Sequence, residues 1–165
     1  MKKLLACALL CSSFVSLPTF ATSPPAPIEQ QKQVAGYYQY QSGQTQITAL
    51  LDGTNFISLS LFKGLSEQQI HESLKKYYAD QAKGVQTSIN AFLVNTGHSL
   101  VLVDSGAASC LGSHLGSVLS NLKASGYQPE QVDSILLTHL HPDHVCGISQ
   151  NGVANFPNAT VYVSA

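Results

Sequence analysis

An α/β fold is predicted, and three observations predict it: apolar runs of strand length alternate with segments of helical periodicity, Gly and Pro punctuate the junctions, and the composition suits a packed core. Hydrophobic residues form 44% of the 165-residue chain and charged residues 10%. Those proportions fit about one globular domain and leave little room for disorder beyond the N-terminal few dozen residues. Eight basic residues, all of them lysine, stand against nine acidic ones. No basic stripe exists for a nucleic-acid backbone, so that class of partner is excluded.

The chain opens with Lys2 and Lys3, the apolar run LLACALLCSSFVSL, Pro18 and the small-residue stretch TFATS. This is the order of a secretory signal, which puts a signal peptide at 1–21 with cleavage after Ala21. The run is too short and too broken by serine for a stable membrane span. Residues 22–35, TSPPAPIEQQKQVA, are Pro-rich and polar and form the expected linker, leaving 36–165 as the folded domain. The expected location is outside a bacterial cytoplasm, periplasmic or secreted. Cleavage would remove Cys7 and Cys11 and leave Cys110 and Cys146 in an oxidising compartment, where a pair can bridge.

Within the domain, QITALLDG and NFISLSLF are expected as two strands joined by a turn at Asp52-Gly53, because Asp-Gly between apolar runs is a hairpin signal. Ser66 followed by Gln69 is a capping-box pattern, after which Ile70, Leu74, Tyr77 and Tyr78 fall on one helical face. INAFLVNT and SLVLVDSG follow as strands separated by Gly97-His98. A second helix is expected over 113–124, carried by Leu115, Val118, Leu119 and Leu122 and ended by Gly126. SILLTHLH then begins as an apolar strand, and ATVYVSA reads as another.

The strand SILLTHLH runs into THLHPDHVCG, residues 138–147, which holds three of the chain's six histidines. His139 and His141 are two apart, so along an extended segment both imidazoles face one way and can meet one metal ion. Asp143 and His144 follow Pro142, where the chain must turn, and offer a carboxylate and a third imidazole to a neighbouring point. Imidazole nitrogen and carboxylate oxygen are the donors that zinc and similar divalent ions take. In α/β folds such sites gather outside strand ends.

The motif resembles the His-X-His-X-Asp-His signature of the metallo-β-lactamase superfamily, and LVLVDSG upstream resembles that superfamily's strand and turn before its first long helix. Across residues 46–165 the order of segments is similar to the methyl parathion hydrolase-like branch, which is exported and includes phosphotriesterases, esterases and lactonases. The resemblance implies the N-terminal half of an αββα sandwich. It also implies two divalent metal ions, zinc by preference, the first at the positions of His139 and His141 and the second at those of Asp143 and His144. Asp143 is thereby both ligand and catalytic residue. Asp104 matches an aspartate beneath the site that would orient the ligand loop. The implied chemistry is attack by a metal-bound hydroxide on an ester, lactone or phosphotriester of a small molecule, with a β-lactam as an alternative substrate. No Gly-X-Ser-X-Gly elbow is present, so a serine nucleophile is not expected.

The sequence departs from the superfamily pattern in two places. Cys146 stands where a glycine is usual, and it is open to three readings: a small core residue, a metal ligand, or, as we expect, half of a disulfide with Cys110. The remaining ligands of such sites would come from sequence beyond Ala165. The expectation is therefore a domain truncated at its C-terminus, with a catalytically inactive fragment as the competing reading. His71, His98 and His114 are expected to be ordinary surface or helix histidines. An uncovered inner sheet face carrying Leu93, Val101, Val103 and Leu136 would favour association into a homo-oligomer.

Overall fold

The computed structural model describes residues 34–77 and 83–164. The signal peptide expected at 1–21, most of the linker and Tyr78 lie outside the described residues. Strands β1 (Tyr37–Ser42) and β2 (Thr45–Ile57) pair antiparallel about the two-residue connection Gly43-Gln44, with Gly43 at φ 59°. That left-handed backbone is what a tight hairpin turn requires of its first residue.

The hairpin expected at Asp52-Gly53 is absent, and β2 continues through it as one long strand. Its pairing with β3 (Val85–Asn95) shifts register between Leu51 and Gly53, which leaves Asp52 as the extra residue of a bulge. The Asp52 side chain is fully buried and receives the backbone N–H groups of Ala107, Gly116 and Val118. Those three bonds, unavailable at a solvated turn tip, hold the dipeptide in the strand. Glycine follows because a Cβ at position 53 would collide with the carbonyl oxygen of His114.

A 3₁₀ turn over Leu59–Leu61 leads to α1 (Glu67–Lys76), which starts on the expected capping box: Gln69 N–H donates to Ser66 Oγ, and Ser66 N–H to Gln69 Oε1. Ile70 is buried, whereas Tyr77 is the C-cap and 77% exposed, so the apolar face ends sooner than expected. Strand β4 (Leu100–Val103) pairs antiparallel with β3, and β5 (Ser134–Leu136) and β8 (Thr160–Tyr162) continue the sheet in parallel. The order is β1-β2-β3-β4-β5-β8. A two-stranded hairpin, β6 (Ser149–Gln150) and β7 (Val153–Ala154), stands outside it.

Helix α2 (Val118–Ala124) begins later than the expected residue 113, because the bonds from Gly116 and Val118 to Asp52 hold the preceding segment as loop. It ends on Gly126 at φ 99°, with the Gly126 N–H on the Lys123 carbonyl and the Tyr127 N–H on that of Leu122, the two bonds of a Schellman cap. Short helix α3 (Pro142–Val145) lies inside the histidine-rich motif, with Pro142 in the first position, where a missing N–H costs nothing.

Period-two alternation sorts the sheet into two faces. Leu50, Ala91, Leu93, Leu102 and Ile135 pack with Val118 and Leu122 of α2 into the main core. Leu93 therefore belongs to the covered face, at 1% exposure, and not to the other face as expected. On the opposite face Phe92, Val103, Leu136 and Tyr162 lie side by side across four strands, with Phe92 44%, Leu136 42% and Tyr162 54% exposed. Among the described residues no helix is long and apolar enough to cross a membrane.

Candidate functional site

The site is assembled at the carboxyl ends of two adjacent parallel strands, where chain leaving a sheet is free to project side chains. Asp104 follows β4 and Thr138 lies just beyond β5, joined by the Asp104 N–H donating to the Leu136 carbonyl at 2.9 Å. Asp104 takes φ 61°, a left-handed backbone that turns its carboxylate back under the loop after β5. Buried to 6% exposure, that carboxylate accepts the Thr138 N–H at 2.9 Å and the Thr138 hydroxyl at 3.0–3.1 Å.

The third partner of Asp104 is His144, whose Nδ1 lies 2.8 Å from Oδ2. An ionised carboxylate only accepts, so Nδ1 is the donor in this contact. Nε2 in turn lies 3.2 Å from Asp143 Oδ2. The His139 ring stands 3.9 Å from that of His144 and 4.5 Å from that of His141, centroid to centroid. His139 and His141 are exposed, and Asp143 and His144 half-buried. All four residues thus occupy one small volume above Asp104.

Backbone contacts fix α3 against the turn after β4. The His144 carbonyl receives both the Ser105 N–H at 2.9 Å and the Ser105 hydroxyl at 2.8 Å, and the Gly147 N–H donates to the Gly106 carbonyl at 3.0 Å. Approach is so close that a Cβ on Gly147 would fall on the Ser105 carbonyl oxygen. Cys110 and Cys146 are joined in a disulfide with Cα atoms 6.3 Å apart, which ties the loop after β4 to the residue that ends α3. His71, His98 and His114 form no part of this cluster.

Three imidazoles and a carboxylate, with a further carboxylate bonded behind one imidazole, are by type the donors of a divalent metal centre. In the present arrangement no three His, Cys, Asp or Glu side chains among the described residues converge on one point that could hold an ion. The donors are instead satisfied by one another: His139 packs on two rings, and both aspartates engage His144. A cavity of about 420 Å³ opens beside Asp104, Asp143 and His144, walled by Ile57, Ile89, Phe92 and Leu111 with Asn55 and Asn90. Among the described residues its lining holds no lysine.

Sequence alone does not mark Thr138, Ser105 or Gly147 as site residues. Thr138 and Gly147 bracket the histidine motif, a positional hint, but nothing in spacing announces the Ser105 bonds, which depend on a contact between distant segments.

A family model described as the metallo-beta-lactamase superfamily matches residues 84–150. Over 61 residues the chain is 41% identical to the "Beta-lactamase-like protein 2 homolog" of Drosophila melanogaster, a match covering 36% of this chain and 19% of that protein. Among solved structures it is similar to hydrolase AbOPH of the beta lactamase superfamily, with 84% identity and a TM-score of 0.78 over 81% of this chain and 46% of that one. It is also similar to AidC, a dizinc quorum-quenching lactonase, at 26% identity and a TM-score of 0.71 over 76% of this chain and 44% of the other. The chain thus spans under half the length of these relatives. Its sheet and helices are part of the fold they share, and residues 84–150 are the segment that matches the metallo-beta-lactamase superfamily.

Proposed function

We propose that the chain supplies the metal-binding half of an exported hydrolase that uses two divalent ions, zinc by preference, to cleave an ester, lactone or phosphotriester. The observation that carries this reading is the gathering of His139, His141, Asp143 and His144 above a buried Asp104 at the ends of two parallel strands. His139 and His141 would hold one ion, and Asp143 and His144 the other. Bound there, such ions supply Lewis acidity toward a carbonyl or phosphoryl oxygen and a nucleophile drawn from water. The protein's own part is to fix the donors. With an ion bound, Asp104 would hold the His144 proton on Nδ1 and so direct Nε2 to the metal, and Thr138 holds Asp104 in place.

The cavity beside the donors is largely apolar and, among the described residues, free of lysine, which favours a neutral substrate over one bearing a carboxylate, such as a β-lactam. Export is supported by Lys2 and Lys3 before an apolar run and by the Cys110–Cys146 disulfide.

One observation favours a second reading, in which the chain binds metal weakly and does not turn over: no three donors converge on one point. Zinc stoichiometry by elemental analysis, with hydrolysis of p-nitrophenyl ester, lactone, phosphotriester and β-lactam substrates, separates the two. About two zinc ions per chain with chelator-sensitive turnover of the neutral substrates is the outcome expected from the hydrolase reading. Weak zinc uptake without turnover selects the second reading, and no zinc uptake sinks both.

A further inference from the structure

Asp52 is the most deeply buried acidic group among the described residues, at 0% exposure, and no part of the hydrolase reading uses it. The ion pairs among those residues that the structure shows are both made by His144, and none of them places a cation from the described residues on the Asp52 carboxylate. Burying a charge without a countercharge is costly unless hydrogen bonds replace its hydration. Here they do: Oδ2 receives the Ala107 N–H at 2.9 Å, and Oδ1 receives those of Gly116 at 3.1 Å and Val118 at 3.3 Å. The Asp52 carbonyl adds the Ser117 N–H at 3.0 Å. One residue in a strand bulge thus closes both ends of the loop 107–117.

That loop carries Cys110, and the turn just before it holds α3. Ser105 bonds the His144 carbonyl twice, the Gly106 carbonyl takes the Gly147 N–H, and Cys110 is linked to Cys146. A cavity of about 140 Å³ is lined by both Asp52 and Gly147, so Asp52 does not reach this segment by direct packing. Hydrogen bonds and one covalent link transmit the position instead.

We propose that Asp52 is a positioning residue for the candidate metal site: by fixing the loop 107–117 it sets the clamp that holds Asp143 and His144 in register with His139 and His141. As a statement about metal it rests on the hydrolase reading, whereas its effect on α3 does not. Asp52→Asn dissects the effect. The Asn oxygen can face the two donors Gly116 and Val118 or the single donor Ala107, and keeping the larger set turns the NH₂ against the Ala107 N–H. The branch nearest α3 is then released while the start of α2 stays capped.

The test is amide hydrogen exchange on the full chain, read for wild type, Asp52→Asn and the core control Leu122→Val. In wild type titrated with denaturant, the Ala107 and Gly116 amides and the Ser105 and Gly147 amides should open as one unit, with a common free energy and slope. In Asp52→Asn the Ser105 and Gly147 amides should exchange about tenfold faster than in a control of equal global stability. Zinc titration should show about tenfold weaker binding in Asp52→Asn.

Independent opening of the two amide sets in wild type overturns the proposal, and that measurement decides alone should Asp52→Asn fail to melt cooperatively. Clamp amides that follow the Leu122→Val control also overturn it, as does unaltered zinc affinity in Asp52→Asn. If wild type takes up no zinc, the hydrolase reading fails, and the exchange data still decide whether Asp52 orders α3.

Discussion

The Thr138 hydroxyl lies within 3.4 Å of four atoms: both carboxylate oxygens of Asp104, His139 Nδ1 and His144 Nδ1. Thr138→Val keeps the shape and the backbone N–H that Asp104 receives but removes this hub, so Asp104 loses one of the donors that aim it at His144. Zinc affinity should fall about tenfold, as is usual for partners behind a ligand, while stability falls by about 1 kcal/mol. Competition against a chromophoric chelator measures the first, and unchanged affinity would show that the hydroxyl is incidental. Gly147 supplies a prediction about stability alone. Its missing Cβ lets α3 rest on the Ser105 carbonyl, so Gly147→Ala forces backbone apart and should cost about 2–3 kcal/mol in a urea titration. A loss below about 0.5 kcal/mol would mean that the contact yields freely.

At the scale of elements, the Cys110–Cys146 disulfide closes a loop across 36 positions of sequence that includes α2 and β5. Chain-entropy arguments give a cross-link of that span about 4 kcal/mol, so Cys110→Ser with Cys146→Ser should lower stability by about 2–4 kcal/mol. Denaturant midpoints of the oxidised wild type and the double variant compare directly, and equal midpoints would refute the claim. Helix α1 was legible because its start signal is local: Ser66 and Gln69 sit three apart and bond each other. Gly126 announced the end of α2 for the same reason. Asp52-Gly53 misled because its partners, Ala107, Gly116 and Val118, lie more than fifty residues away, and no local propensity carries that information. The clustering of His139, His141, Asp143 and His144 was legible because all four lie within six residues. Ser105, which meets them only through the fold, was not.

For the whole molecule, the sheet has one face covered by α2 and another on which β-pairing aligns Phe92, Val103, Leu136 and Tyr162 in a single row. Three of these side chains are more than 40% exposed, and a row of that length spans four strands at about 4.8 Å each, more apolar surface than scattered exposed residues make. Burying such a row against a second apolar surface is favourable at about 25 cal/mol per Å² before the cost of association is counted. The chain should therefore self-associate and bind a hydrophobic dye, with a weight-average mass above that of the monomer in sedimentation equilibrium. Phe92→Lys with Leu136→Lys places charges on that row without touching the α2 side, where Leu93 and Ile135 pack. The double variant should sediment as a monomer, lose the dye signal, and keep the thermal midpoint to within a few degrees, because exposed positions contribute little to the core. A wild-type chain that is already a sharp monomer without dye binding would refute the argument. A double variant that unfolds would instead show that the row is part of the fold's own core.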